Sequence, residues 1–71
     1  MEVVKMITLS PKALRVNSGK TQAEVAKYLK MSLTQYRRRE NGNTRWYAEE
    51  ILQLAELYNV DIAVFFNHKV S

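Results

Sequence analysis

Two helix starts of the S/T-x-x-E/Q type, Thr21-x-x-Glu24 and Ser32-x-x-Gln35, stand eleven residues apart. In each, the hydroxyl can accept a hydrogen bond from a first-turn backbone N–H that has no partner within the helix. The Glu or Gln three residues on can reach back to the cap's own N–H. This separation leaves room for one helix of about two turns and a tight connection before the next helix begins. The second helix then runs into three consecutive arginines, Arg37, Arg38 and Arg39. Capping boxes are common in helical proteins, so the residues around the pair must decide what it builds.

The chain as a whole narrows the choice. With 71 residues it forms one domain with a small core, which disfavours a large enzyme pocket. It has no cysteine and a single histidine, His68, so neither a disulfide frame nor a metal cluster is expected. No apolar run approaches the about 20 residues of a membrane span, and MEVVKMI does not resemble a secretory signal. A soluble cytoplasmic protein is the expectation. The net charge of +4 hides a strong asymmetry. Val3 to Arg45 carries ten bases (Lys5, Lys12, Arg15, Lys20, Lys27, Lys30, Arg37, Arg38, Arg39, Arg45) against Glu24 and Glu40. From Trp46 onward, four acids (Glu49, Glu50, Glu56, Asp61) face Lys69 alone. A charge run is often no more than a solvated face. Segregation this complete in a small domain favours a surface for a polyanion, with the acidic half turned away from it.

Helical punctuation predicts an all-α domain of five short helices. The first covers about 11–18, with Ser10 as N-cap, Pro11 at the first helical position, a Leu9–Leu14 staple and Gly19 as its stop. The second, 22–30, buries Val25, Ala26 and Leu29, and the third, about 33–41, stops at Gly42. In the fourth, Ala48, Ile51, Leu52, Ala55 and Tyr58 are read as the buried stripe, with Glu49, Gln53 and Glu56 outward. Asp61 caps a last short helix over 62–66. Residues 1–8, rich in β-formers, suit an extended arm or strand; 9–66 form the domain and 67–71 a tail.

Taken in order, Leu14-Arg15, Gly19-x-Thr21-Gln22-x-Glu24-Val25-Ala26, Met31-Ser32, Glu40-Asn41-Gly42, Leu54-Ala55, Val60 and Phe65 resemble the phage-repressor type of helix-turn-helix. This is the Cro and XRE-like family of small bacterial and phage transcriptional regulators. Registration needs no gap from Leu14 to Phe65. The resemblance implies a compact repressor-like domain whose third helix lies in the major groove of double-stranded DNA. It implies a phosphate contact for Gln22 and base-reading positions at Leu33, Thr34 and Arg38. A guanidinium matches guanine O6 and N7, so Arg38 is the expected direct reader. Leu33 has two readings, contact with a thymine methyl or core packing with Met31. Arg37 falls to a nearby phosphate. Asn41, Asn43, Thr44 and Arg45 match positions that grip the sugar-phosphate backbone, although Asn41-Gly42-Asn43 is equally explained as a plain turn. Arg15 and Glu40 match a structural ion pair between the first helix and the end of the third.

The sequence departs from the family's pattern at three places. Lys30 stands where a glycine is usual in the turn, which implies mild strain or a different turn. Tyr36 replaces a β-branched residue and is expected to fill the core with its hydroxyl at the surface. Arg39 replaces an apolar residue, and its stem is expected to cover the core edge while the guanidinium reaches a phosphate. Trp46 and Tyr47, before the fourth helix, are read as core or dimer packing.

The leading expectation is therefore a small transcriptional regulator, in the sense of a repressor. It would bind a palindromic operator as a homodimer, through an interface drawn from Tyr58, Val60, Phe65 and Phe66; alternatively, these residues complete the monomer core. No cofactor, metal, membrane or small-molecule ligand is expected. A second class is a protein-interaction or antitoxin-like adaptor using the fourth helix and the apolar C-terminal segment. An enzyme is remote, since the carboxylates are scattered and no nucleophile–base pair is visible.

Overall fold

The computed structural model describes residues 10–66, so the proposed arm, Leu9 of the staple and His68 lie outside it. Four α-helices and one 3-10 turn make up the described chain, with no strand among the described residues. They are α1 (Pro11–Asn17), α2 (Gln22–Tyr28), α3 (Leu33–Glu40), α4 (Ala48–Tyr58) and the 3-10 turn Ile62–Phe65. The fifth expected helix is thus a 3-10 turn. Four residues cannot repay the nucleation of an α-helix, and the segment closes instead through i to i+3 bonds, Val64 N–H to Asp61 O and Phe66 N–H to Ala63 O, both at 3.0 Å.

Each helix begins where a side chain or its neighbour satisfies a free N–H. Ser10 Oγ accepts from Ala13 N at 3.0 Å, with Pro11 in the first turn. Thr21 Oγ1 accepts from Glu24 N at 3.1 Å while Thr21 N donates to Glu24 Oε1 at 2.8 Å. That bond is the main reason the Glu24 carboxyl lies below its ordinary pKa. Ser32 and Gln35 repeat the reciprocal pair at 3.1 Å in both directions. At Tyr47 only half of such a box exists, because a phenol cannot cap its own helix; Glu50 Oε1 accepts from Tyr47 N at 3.0 Å.

Each α-helix also stops the same way, on one left-handed residue: Gly19 (φ 72°), Lys30 (φ 60°), Gly42 (φ 86°) and Asn59 (φ 55°). The next N–H reaches back five residues to an orphan carbonyl, as in Met31 N–H to Ala26 O at 3.0 Å. Lys30 therefore keeps the backbone of the glycine it replaces.

The core consists of Leu14, Val25, Ala26, Leu29, Tyr36, Ile51, Leu54 and Ala55. Met31, Trp46, Leu57, Tyr58, Ile62 and Phe65 pack against its central cluster. On α4 the buried stripe is Ile51, Leu54, Ala55 and the half-buried Tyr58, while Leu52 is 53% exposed and Ala48 is exposed. The expected stripe was correct in three residues and wrong in Leu52 and Ala48. Leu54 falls between Ile51 and Tyr58 at helical spacing and is fully buried, whereas Leu52 points away from that line. Tyr36 is fully buried, and its ring meets Trp46 edge-on at 5.8 Å and 71°.

Left-handed backbone costs a residue with a Cβ roughly 1–2 kcal/mol, partly offset in a glycine variant by the entropy of its unfolded chain. Lys30→Gly is expected to stabilise the domain by about 0.5–1 kcal/mol, a rise of a few degrees in Tm. Thermal unfolding followed by circular dichroism measures it, and an unchanged or lower Tm would show that Lys30 is unstrained.

Candidate nucleic-acid interface

The site is built around the last residue of α3. The Glu40 side chain is 1% exposed, and its carboxylate accepts from four donors: Arg15 Nε at 2.8 Å, Arg15 Nη2 at 3.2 Å, Gln22 Nε2 at 2.8 Å and Tyr36 Oη at 2.6 Å. Arg15 Nη1 donates to Lys20 O at 2.9 Å, so one guanidinium joins α1, the α1–α2 connection and α3. Burial pushes the Glu40 pKa up, but the bonds from Arg15, Tyr36 and Gln22 outweigh it and hold the carboxyl below its ordinary value. The same bond to Glu40 raises Arg15. Burial, then Glu40, pushes the Tyr36 phenol up, which keeps it a donor. The Tyr36 hydroxyl thus points inward to a carboxylate, correcting the expectation that it lies at the surface: a buried carboxylate needs every donor within reach.

Arg39 also differs from its expectation. Its Nε donates to Glu50 Oε1 at 2.8 Å with both side chains mostly covered, and its guanidinium lies 5.4 Å from the centre of the Tyr47 ring. The guanidinium is held by α4 and an aromatic face, not released to a phosphate. Tyr47 itself is 62% exposed, and Trp46 packs on the core.

The expected site residues occupy three places. Thr34 and Arg38, one turn apart, are exposed on the side of α3 opposite the buried Tyr36. Arg38 has no ion-pair partner among the described residues. Leu33, the first residue of α3, is half-buried and is not among the residues that pack against the central core cluster. On the flank toward α2, Arg37 Nε donates to Gln22 Oε1 at 3.2 Å. After α3, Asn41, Asn43 and Arg45 are exposed and Thr44 is half-exposed. The backbone N–H groups of that turn are already used: Asn41 donates to Arg37 O at 2.9 Å, Gly42 to Arg39 O at 3.2 Å, and Asn43 and Thr44 to Arg38 O at 2.8 and 3.2 Å. The N–H groups of residues 41–44 are therefore committed within the turn, and what these residues offer a ligand is their side chains. Of the C-terminal candidates, Tyr58 and Phe65 pack against the core, Val60 is half-buried and Phe66 is 59% exposed.

Gln22 as a link between Glu40 and Arg37, the Tyr36 bond and the Arg39–Glu50 pair were missed from the sequence. Each joins residues on different elements or depends on which way a helix face turns, and local patterns carry no trace of that. Only the Arg15–Glu40 position could be found in advance, through the family pattern.

Two capped helices joined by a tight turn, with Arg38 exposed and unpaired among the described residues on the outer face of the second, define a DNA-binding helix-turn-helix domain. The helix-turn-helix family model matches residues 12–65, more than half of the chain, and the protein belongs to this Cro/C1-type family. No curated protein and no solved structure gave a match. Membership gives sequence-specific binding of double-stranded DNA in the manner of transcription regulators, a family that is typically non-enzymatic. No helix among the described residues is long and apolar enough to cross a membrane.

Because the folded Glu40 pKa is lowered, the unfolded chain binds the extra proton first as pH falls. The stabilisation is complete above the ordinary carboxylate value of 4.5 and is lost progressively below it. Glu40→Ala strands Arg15 and is expected to cost about 3–5 kcal/mol, enough to unfold so small a domain and abolish DNA binding through loss of fold. Acid titration of the wild-type Tm, and melting of Glu40→Ala at neutral pH, check both. A variant that melts like wild type would remove Glu40 from its central place.

Proposed function

We propose that the protein is a transcriptional repressor that reads an operator with the outer face of α3 in the major groove. The observation that carries this reading is the placement of Thr34 beside the exposed Arg38, which has no partner among the described residues, on the side opposite Tyr36, on a helix whose other two arginines are already engaged by Gln22 and Glu50. Arg38 supplies the fork that matches guanine, and Thr34 a hydroxyl for either base type. Leu33, half-buried at the start of α3, contacts a thymine methyl through the part of its side chain that remains exposed. Arg37, Asn41, Asn43, Thr44 and Arg45 hold the sugar-phosphate backbone on either side, setting register without reading sequence. Catalysis has no part in this reading.

The operator is a palindrome read by a homodimer with recognition helices about 34 Å apart. Exposed Phe66 supports the C-terminal side as the contact. With Phe65, Pro11, Trp46 and Ile51 it borders an apolar groove of about 460 Å³. Tyr58 and Phe65 serve the core first and reach the partner only at their outer edges. The same groove, with exposed Leu52 on α4, favours a second reading, an adaptor that binds another protein there. Under that reading Arg38 would be dispensable for binding.

In-vitro selection of bound duplexes tests the leading reading. Arg38→Ala is expected to relax specificity at one guanine position and to cost about 1–3 kcal/mol there, while Leu33→Ala weakens a thymine preference. Affinity for random duplex is expected to fall steeply with salt. If both variants select the wild-type motif, α3 does not read the bases as assigned.

A further inference from the structure

Gln22 sits where its amide cannot be turned around. Glu40 carries only acceptors, and its Oε1 takes a hydrogen bond from Gln22 Nε2 at 2.8 Å, so the amide nitrogen must face inward. The amide oxygen therefore faces outward, where Arg37 Nε meets it at 3.2 Å. The inward end is fixed by a carboxylate that is itself saturated by Arg15 and Tyr36. Arg37 is an exposed side chain on the flank of α3, and with its Nε held, both terminal amino groups are without a hydrogen-bond partner among the described residues. Those two groups form the edge of the guanidinium that grips a phosphate with parallel hydrogen bonds.

On the proposed DNA-binding function, we infer that Gln22 is a positioning residue for Arg37, so that the buried Glu40 cluster presets a phosphate clamp on the flank of α3. Gln22 then contributes to affinity through Arg37 and not through its own amide on the DNA. An unheld arginine would have to be ordered at the moment of binding, and the pre-set fork avoids that loss. A lysine cannot substitute. Its three donors sit on one freely rotating centre and lack the planar fork that lets one edge be held while the other meets a phosphate with two parallel bonds.

Two measurements test this. In the free protein, the ¹⁵N–¹H signal of Arg37 Nε should be resolved and slow to exchange, and should be lost in Gln22→Ala. With DNA, affinity and its salt slope are read for Gln22→Ala, Arg37→Ala, Arg37→Lys and the Gln22→Ala/Arg37→Ala double variant, each checked by melting. Arg37→Ala should weaken binding roughly tenfold and lower the salt slope by about 1. Gln22→Ala should cost several-fold in the wild-type background and almost nothing once Arg37 is alanine, the signature of two residues acting as one. Arg37→Lys should keep the salt slope but bind several-fold more weakly than wild type. Because the surface Arg37 variants leave the core untouched, they decide the matter even if Gln22→Ala proves unstable: an Arg37→Lys protein that binds as tightly as wild type overturns the clamp. Equal losses from Gln22→Ala in both backgrounds, or a freely exchanging Arg37 Nε–H in the wild type, overturn it as well. A wild-type protein that keeps the slow Nε–H but shows no salt-dependent binding to duplex DNA would instead overturn the DNA-binding function itself, and the clamp with it.

Discussion

A carboxylate at the end of α3 must find donors from other parts of the chain, because a buried negative charge left alone would be expelled or neutralised. Glu40 finds them on α1, on α2 and one turn back on its own helix. Bringing Arg15, Gln22 and Tyr36 to one point fixes the angle at which α3 leaves the body of the domain. The position of Arg38 and Thr34 in space follows from that angle, although neither touches the cluster. A charged group buried in so small a core stabilises little by itself. Its value lies in permitting only the arrangement that satisfies every partner.

Helix ends supply the second constraint. The left-handed stops at Gly19, Lys30, Gly42 and Asn59 each turn the chain within about two residues, which is why four helices fit into so short a domain. At Gly42 the same closure draws the N–H groups of Asn43 and Thr44 back to Arg38 O. The start of the loop after α3 is thus closed on itself, with its backbone donors spent and the side chains of Asn41 and Asn43 exposed. Arg39 and Glu50 then tie the basic helix to the acidic one, so α4 supports the presenting helix as well as the core.

Much of this was legible from the residues alone, and the boundary is instructive. Reciprocal caps at Thr21–Glu24 and Ser32–Gln35 are local chemistry, and the helices begin where those residues place them. Gly19 and Gly42 announced their turns for the same reason. On α4, by contrast, two overlapping apolar lines, one through Ala48 and Leu52 and one through Ile51, Leu54 and Tyr58, both fit helical spacing. Only packing against α2, α3 and the C-terminal turn chooses between them. The Ile62–Phe65 segment read as a helix because its apolar residues and Asp61 cap suit one, but its length restricts it to 3-10 bonding. Tyr36 and Arg39 were misjudged in one respect only, the partner of the polar end, which lies 4 and 11 residues away on a face the sequence does not reveal.

The three arginines of α3 show how position on a helix divides chemically identical residues. Successive residues turn about a quarter of the way round the axis, so Arg37, Arg38 and Arg39 face α2, solvent and α4 in turn. The first meets an amide oxygen, the last a carboxylate and an aromatic ring, and the middle one no polar partner among the described residues. A guanidinium already bonded to a carboxylate must give up that bond to take another acceptor, whereas a free one gives up only water. On the proposed function, base reading falls to Arg38 by subtraction as much as by family pattern. Arg37 is intermediate, since a neutral amide occupies one of its donors without neutralising its charge, and that combination suits an anion whose position is to be fixed but whose identity never varies along a duplex.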